Sequence, residues 1–279
     1  MGLVEAVIYG IVQGLTEFLP ISSTAHIRVV PALLGWPDPG AGFTAVIQLG
    51  TLLAVLIYFA RDIGKAFVGW TRSLTGQDQD SPDARMGWAI LLGTIPIVIL
   101  GFLGKDYIKG DLRSLWVIAG SLIFMGVPIA VAEKVSSKHR LLASVQKKDG
   151  TIVGLWQALA LIPGMSRSGS TITGALFAGF DRPTAARFSF LLSVPSILAA
   201  GIKELWDERH HLLTGNMLMP TIVATVVSFF VGYASIAFLM KFLQKRGVMP
   251  FVAYRILLGI VLIALLLNGT LEPMTGIVK

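Results

Sequence analysis

The sequence contains no cysteine and few charged residues. None of its 279 residues is Cys, and Asp, Glu, Lys and Arg together make up 14% of the chain, against roughly 25% in a typical soluble domain. The first absence excludes disulfides, thiolate catalysis and Cys-based metal sites. The second, together with 54% hydrophobic residues and a mean hydropathy of +0.74, indicates an integral membrane protein.

The sequence predicts neither a nucleic-acid-binding surface nor a cleavable leader. The net charge is +7, but Lys and Arg lie between apolar stretches and are not interleaved with aromatic residues. Membrane topology therefore accounts for them, and no nucleic acid is expected as a partner. Residues 1–5 have neither a basic region nor a cleavage site, which predicts that they are retained.

Apolar stretches predict an all-α membrane protein with six crossings. Each stretch provides about 20 mostly apolar residues, which is the length that spans a bilayer. The predicted crossings are residues 43–59, 86–103, 115–132, 186–205, 217–242 and 251–267. Residues 61–85 are predicted to form a polar loop. No boundary between domains is visible, so the chain is expected to form a single membrane domain.

Two further apolar stretches, residues 2–35 and 151–179, are broken by Pro, Gly and polar side chains. Irregular backbone at membrane depth is tolerated only where protein or a wet cavity buries it. Both stretches are therefore predicted to be re-entrant helical hairpins. They also resemble each other, since each runs from Gln through apolar residues to Pro and a pair of serines. The chain is thus divided into two repeats, about 1–132 and about 151–270.

Basic residues between the repeats predict the orientation in the membrane. The segment of about 133–150 contains five of them, Lys134, Lys138, Arg140, Lys147 and Lys148, and such an excess favours the cytoplasmic side. Six crossings then place both termini outside, and the two hairpins enter from opposite faces. In such an inverted-topology repeat the broken helices meet near the midplane and form the binding site. We expect this site to open to the outer face.

Gln13 and Glu17 are four residues apart, which places them on one face of a helix. A charge at the bilayer centre costs at least about 2.5–3.5 kcal/mol, so Glu17 needs a partner. Arg167 of the second hairpin is the available cation. The alternative is a purely structural ion pair, which would leave the surrounding hydroxyls unexplained.

Residues 163–171 have the composition of an oxyanion cradle. Ser166, Ser168 and Thr171 offer hydroxyl donors, and Arg167 offers a planar fork that suits phosphate oxygens. A helix over residues 170–178 would add the amides of its N-terminus. The alternative is that small residues pack helices closely, but that role does not require Arg167.

His26 follows Ser23 by three residues, so one helical turn brings the imidazole towards that hydroxyl. The spacing suits a base beside a nucleophile, or an imidazole that itself attacks phosphorus. The alternative is a His that is only hydrogen-bonded. Arg28 is expected to face lipid headgroups. Two further buried polar residues either line the same cavity or bond neighbouring helices, namely Gln48 and Ser193.

These motifs resemble those of the undecaprenyl-diphosphate phosphatases of the UppP type. The family's first motif, Glu or Gln followed by three residues and Glu, matches residues 13–17, and its Ser-Ser-x-x-His continuation matches residues 22–26. The second motif, PGxSRSxxT, matches residues 163–171 at every fixed position.

The resemblance implies hydrolysis of undecaprenyl diphosphate to the monophosphate carrier of cell-wall synthesis and inorganic phosphate, with bacitracin resistance on overproduction. It implies a bacterial cell (inner) membrane location, a polyprenyl diphosphate substrate among membrane lipids, and Mg²⁺ or Ca²⁺. Whether the protein forms a homodimer is left open. The implied catalytic residues are Glu17, Ser23, His26 and Arg167, and Glu17 is also the implied metal ligand. The implied substrate-binding residues are Gln13, Ser22, Ser166, Arg167, Ser168 and Thr171.

Two points stay open at this stage. First, many relatives carry Glu at the position of Gln13, so a metal site here has one carboxylate fewer. Second, either Ser23 or His26 could be the attacking group. The rival function is a transporter or lipid flippase, because inverted repeats with broken helices are common there. A structural membrane subunit is a third reading, but it does not explain the paired motifs.

Overall fold

The computed structural model describes residues 1–277, and this part of the chain is almost entirely helical, without a strand. Its α-helices are α1 (Leu3–Phe18), α2 (Ser23–Leu34), α3 (Gly40–Tyr58), α4 (Ala60–Leu74), α5 (Pro82–Leu103), α6 (Lys105–Lys109), α7 (Leu115–Val135), α8 (Lys147–Ala158), α9 (Arg167–Phe177), α10 (Arg182–Asp207), α11 (Arg209–Leu212), α12 (Leu218–Lys245) and α13 (Met249–Leu267). Short 3₁₀ turns join several of them.

Six of these helices are long and apolar enough to cross a membrane: α3, α5, α7, α10, α12 and α13. They coincide with the six stretches predicted from hydropathy, with ends that differ by a few residues. The predictions of an all-α chain and of six helices that could cross a membrane are confirmed for the described residues. The protein is a multi-pass membrane protein.

The prediction of a polar loop over residues 61–85 is wrong, because most of this segment is helix α4. Its charges lie on one side of an amphipathic helix. Ala66 and Gly69 are buried, and Gly69 lies so close to the start of α5 that an added Cβ would come within 2.6 Å of the Ala84 nitrogen. Phe67 and Leu74 are exposed. The segment contains so many charged residues that it was predicted to be a loop, although its apolar residues recur with helical spacing.

Besides the six long helices, the chain forms two units in which two shorter helices are separated by a break. In the first, α1 ends at Phe18 and α2 begins after Ser22. In the second, α8 is followed by a 3₁₀ turn, and α9 begins after Ser166. Each serine caps its helix by accepting a bond from the amide three residues later, and each has a positive φ, 76° for Ser22 and 73° for Ser166. Positive φ is uncommon outside glycine, so the two breaks share an unusual local structure.

The first helix of each unit packs along a long helix from the other half of the chain. Helix α1 lies on α12, and α8 lies on α5. Glycines make this possible: a Cβ on Gly10 would approach the Ala224 oxygen to 2.6 Å, and one on Gly154 would approach the Gly93 oxygen to 2.4 Å. Small residues of this kind let helix backbones come close together in membranes. Helices α3 and α10 also pack together, and they enclose the space between the two breaks.

Candidate active site

The two breaks meet at a cavity of about 130 Å³. The first unit contributes Glu17 and Ser23 to its lining, and the second contributes Ser166 and Arg167. Helices α3 and α10 close it, with Gln48 among their lining residues. Residues from the two sequence motifs therefore surround one space, although about 140 residues of chain separate them.

Glu17 lies at the centre of this cluster and is buried. Its Oε2 accepts bonds from the Ser23 hydroxyl, at 2.6 Å, and from Nε2 of Gln13, at 2.7 Å. Its Oε1 accepts a bond from Nη2 of Arg167. The carboxylate thus has the partner that the sequence predicted, and three donors from both motifs fix its position.

Ser23 is the first residue of α2, so its hydroxyl lies at the positive end of a helix. The hydroxyl is within direct reach of the Glu17 carboxylate. A carboxylate in that position can take the hydroxyl proton as the oxygen attacks an electrophile. The pair has the geometry of a nucleophile beside its base.

Arg167 is the first residue of α9 and lines the cavity. Besides its bond to Glu17, it donates from Nη1 to the carbonyl of Ser193 at 3.3 Å. A guanidinium carries five N–H donors, so these two bonds leave others for a ligand. The planar fork and the nearby N-terminus of α9 together suit phosphate oxygens.

His26 does not contact the Ser23 hydroxyl. Its Nδ1 lies 2.7 Å from the carbonyl of Ser22, and its Nε2 lies 2.7 Å from the hydroxyl of Tyr254, whose ring stacks on the imidazole. Since a carbonyl only accepts, Nδ1 carries the hydrogen, and in the neutral ring Nε2 accepts from Tyr254. His26 is also absent from the lining of the cavity.

The remaining hydroxyls of the second motif have different positions. Ser166 lines the cavity and caps α9, whereas Ser168 donates to the carbonyl of Leu19 at 3.0 Å and so ties the second unit to the first break. Thr171 bonds the carbonyl of Arg167, at 2.8 Å, and the hydroxyl of Ser189, at 2.5 Å. Ser168 and Thr171 support the site from behind the cavity.

Ser22 and Thr24 also line the cavity, next to Gln48. Ser193, in contrast, donates its hydroxyl to the carbonyl of Phe190 within its own helix, at 2.6 Å. Its contribution to the site is the carbonyl that accepts a bond from Arg167. Gln48 therefore lines the cavity, whereas the side chain of Ser193 does not.

Arg255 of α13, which was not among the residues predicted from the sequence, is completely buried. Its guanidinium donates to carbonyls in both breaks and in α7: Pro20, Gly164, Met165, Ser121 and Leu122, at 2.8 to 3.3 Å. Carbonyls in a helix break lack their helical partners, and Arg255 supplies them. The signal was present, because a lone arginine inside the apolar stretch 251–267 marks a functional or structural role.

A divalent cation can be tested against the oxygens at the centre of the site. The Oε1 of Gln13 is buried and has no hydrogen-bond partner among the described residues, and it belongs to the amide that bonds Glu17. In residues 1–277 no group of three or more His, Asp and Glu side chains could hold a metal. Gln13 itself does not line the cavity, but one carboxylate and one neutral oxygen fit Mg²⁺ by chemical type, since this ion commonly uses one or two carboxylates and completes its shell with phosphate and water.

Comparison with known proteins gives the family. Residues 6–261 match the family described as "Bacitracin resistance protein BacA". The chain belongs to the BacA family. Curated relatives are similar over nearly the whole chain and are named undecaprenyl-diphosphatase. That of Chloroherpeton thalassium is 52% identical, with 98% of this chain and 99% of that protein covered. Undecaprenyl-diphosphatase 2 of Streptomyces coelicolor is 50% identical, with 98% of both chains covered.

Proposed function

We propose that this BacA-family protein hydrolyses undecaprenyl diphosphate to undecaprenyl phosphate and inorganic phosphate, and so recycles the lipid carrier of cell-wall synthesis. The names of relatives about 50% identical over almost the full chain support this activity. The observation that carries the proposal is the buried contact of Ser23 and Arg167 with the two oxygens of Glu17. The relatives' names do not favour the transporter or flippase that broken helices alone would allow.

In the proposed reaction, Ser23 is the nucleophile and Glu17 is its base. Glu17 takes the hydroxyl proton while the Ser23 oxygen forms a bond to the terminal phosphorus, and the bond from that phosphorus to the bridging oxygen breaks. Undecaprenyl phosphate leaves. Water then attacks the phosphorus of the phosphoserine, and the bond from that phosphorus to the Ser23 oxygen breaks. One proton of the water goes to the Ser23 oxygen, the other stays on the released inorganic phosphate, and Glu17 loses its proton to solvent. Arg167 binds the phosphoryl oxygens throughout, where charge shifts in the transition state.

His26 is proposed to position the nucleophile. It holds the carbonyl of Ser22, the residue before Ser23, and Tyr254 holds its other nitrogen. This arrangement fixes the strained backbone at Ser22, which in turn sets the start of α2. Strained residues of this type persist where the surroundings over-determine them.

We propose that Mg²⁺ or Ca²⁺ binds at Glu17 and at Oε1 of Gln13, the buried oxygen without a partner. A divalent cation would neutralise charge on the diphosphate oxygens. Gln13 would donate its amide hydrogen to Glu17 and keep its oxygen for the cation. This division of roles accounts for an amide at a position of the motif where Glu also occurs.

The two helix–break–helix units are proposed to be re-entrant hairpins of an inverted-topology repeat. The matching serine caps with positive φ support this relation. So does the packing, because α1 lies on α12 of the second half while α8 lies on α5 of the first. A pseudo-two-fold axis in the membrane plane produces such reciprocal packing, in which the first helix of each unit lies on a long helix of the other half.

We further propose that the protein lies in the bacterial cell (inner) membrane with its termini and the site opening outside. The basic segment of about 133–150 supports this orientation. In intact cells, an impermeant thiol reagent should label Ser23→Cys, and a diphosphate analogue should protect it. Lys147→Cys, the control, should be labelled only after the inner face is exposed. Labelling of Ser23→Cys only from the inner face would contradict the orientation.

The activity is tested by phosphate release from undecaprenyl diphosphate, with purified protein in detergent and Mg²⁺. Wild type should release phosphate, and Ser23→Ala should lose this activity. Ser235→Ala is the matched control, since Ser235 is buried and its hydroxyl has no hydrogen-bond partner in the described chain. Absence of release by folded wild type would refute the proposed function.

A further inference from the structure

A second cavity of about 200 Å³ lies beside the catalytic one. The two share four lining residues, Thr24, Gln48, Ala160 and Ala200, so they are adjacent spaces with a common wall. The second cavity has its own charged lining residues, Arg28, Arg113 and Glu204. The proposed mechanism uses none of them.

Arg28 has an unusual environment. It lies on α2, one turn beyond the shared residue Thr24, and it is only 2% exposed. The expectation that it faces lipid headgroups is therefore wrong. None of its three side-chain nitrogens has a hydrogen-bond partner among the described residues. Buried N–H groups almost always have a hydrogen-bond partner, because burial removes their bonds to water. The N–H groups of Arg28 are therefore available to bind a ligand in the cavity.

The nearest carboxylate does not satisfy Arg28. Asp38 approaches Nε of Arg28 only to 3.4 Å, without the geometry of a hydrogen bond. Both oxygens of Asp38 instead accept from Nη2 of Arg113, each at 2.6 Å. Two guanidinium groups thus share one carboxylate, and the trio keeps a net positive charge. Glu204, the acidic residue in the lining, has an interaction of its own.

We propose that Arg28 and Arg113 form a second anion-binding subsite, which takes a phosphate group next to the catalytic cavity. The planar fork of Arg28 suits two phosphate oxygens. Arg113, which lies in the 3₁₀ turn before α7, adds a second positive charge to the same cavity. The subsite itself follows from the geometry, whereas the source of the phosphate rests on the proposed function. It is either the inorganic phosphate product or the second phosphate of the lipid headgroup.

The position of the subsite suits both sources. Arg113 ends the short 3₁₀ turn Asp111–Arg113 that precedes α7, in the connection between α5 and α7, which lies outside in the orientation proposed above. The second cavity therefore extends from the wall that it shares with the catalytic cavity towards the face at which we propose that the site opens. A phosphate that enters or leaves by this route meets Arg28 on the way.

Direct binding tests the subsite without any turnover. Inorganic phosphate is titrated into detergent-solubilised wild type, Arg28→Gln and Arg187→Gln and followed by ³¹P NMR. Wild type should bind two phosphates, one in each cavity, and Arg28→Gln should bind one. The control residue Arg187 pairs with Asp62 at a different cavity, so its variant should bind two. A stoichiometry that Arg28→Gln leaves unchanged overturns the proposal.

A second variant covers the case in which Arg28→Gln does not fold. Arg28→Lys keeps the positive charge beside Asp38 but lacks the planar fork. It should weaken phosphate binding at the subsite by about tenfold. Wild-type affinity in folded Arg28→Lys overturns the role of the fork.

Kinetics distinguish the two sources of phosphate. If the subsite holds the product, Arg28→Gln should raise the inhibition constant of inorganic phosphate at least about tenfold and leave KM for undecaprenyl diphosphate unchanged. If it holds the lipid headgroup, KM should rise instead by a similar factor. Either shift supports the subsite, and no shift in both constants overturns it. If wild type shows no hydrolysis, the proposed function fails, but the ³¹P titration still decides on the subsite.

Discussion

Arg255→Lys tests whether the geometry of the site depends on one buried guanidinium that bonds both breaks. Arg255 donates to five backbone carbonyls, whereas an ammonium has only three donors. At least two of these five bonds are lost, and each bond to a charged group contributes about 1.5–3 kcal/mol, so the two breaks and α7 together lose about 3–6 kcal/mol of restraint. The ammonium is also the more strongly hydrated ion, which makes its burial less favourable.

The expected result is a catalytic defect in a protein that still folds. A displacement of about 1 Å at reacting groups can lower a rate about 10²-fold, so kcat for phosphate release should fall by about that factor. KM should change by less than about threefold, since the cavity lining is intact. Arg255→Met, which removes every donor, should be inactive.

Two measurements separate positioning from general loss of structure. Size-exclusion profiles and thermal melting report folding, and Arg182→Lys is the matched control because Arg182 pairs with Glu133 away from both breaks. That variant should keep near-normal kcat. Wild-type kcat in folded Arg255→Lys would show that the breaks hold their shape without Arg255, and the reasoning would be refuted.

Three further predictions concern the cluster around Glu17. Glu17→Gln should lower kcat about 10³-fold because the base is lost, whereas Gln13→Glu should keep activity; equal tolerance of both changes would remove Glu17 from the mechanism. Ser23→Ala should abolish phosphate release while His26→Ala keeps at least about a tenth of it, and the opposite order would make the imidazole the attacking group. Arg167→Lys should lose about 10²–10³-fold in kcat, because a point charge does not reproduce two-point contact with phosphoryl oxygens; near-normal turnover would contradict that role.

Hydropathy and charge predict well where the helices of this protein lie in the sequence. They predict poorly the direction in which individual side chains point. The six crossings follow from stretches of sufficient length, and the breaks follow from Pro and Gly within apolar sequence. The i, i+4 spacing of Gln13 and Glu17 correctly placed them on one helix face, and the need to neutralise a buried carboxylate correctly paired Glu17 with Arg167.

The position of His26 shows where such reasoning stops. Spacing brings it within one turn of Ser23, but the direction of each side chain depends on neighbours from distant parts of the chain. The Ser23 hydroxyl is held by Glu17, and the imidazole is held by Tyr254 of α13. Sequence spacing contains no information about Tyr254, because more than 200 residues separate it from His26. Arg28 is a similar case, since its burial depends on Asp38 and the wall of a second cavity.

The place of Arg255 in the chain has a consequence for biosynthesis. Both breaks and α7 leave the ribosome before α13 does, so their carbonyls lack this guanidinium during most of translation. A nascent chain that stops before Met249 contains both motifs but not the residue that bonds the two turns. The proposed catalytic site is therefore completed only when α13 is made, and we expect chains that stop before α13 to have an unformed site.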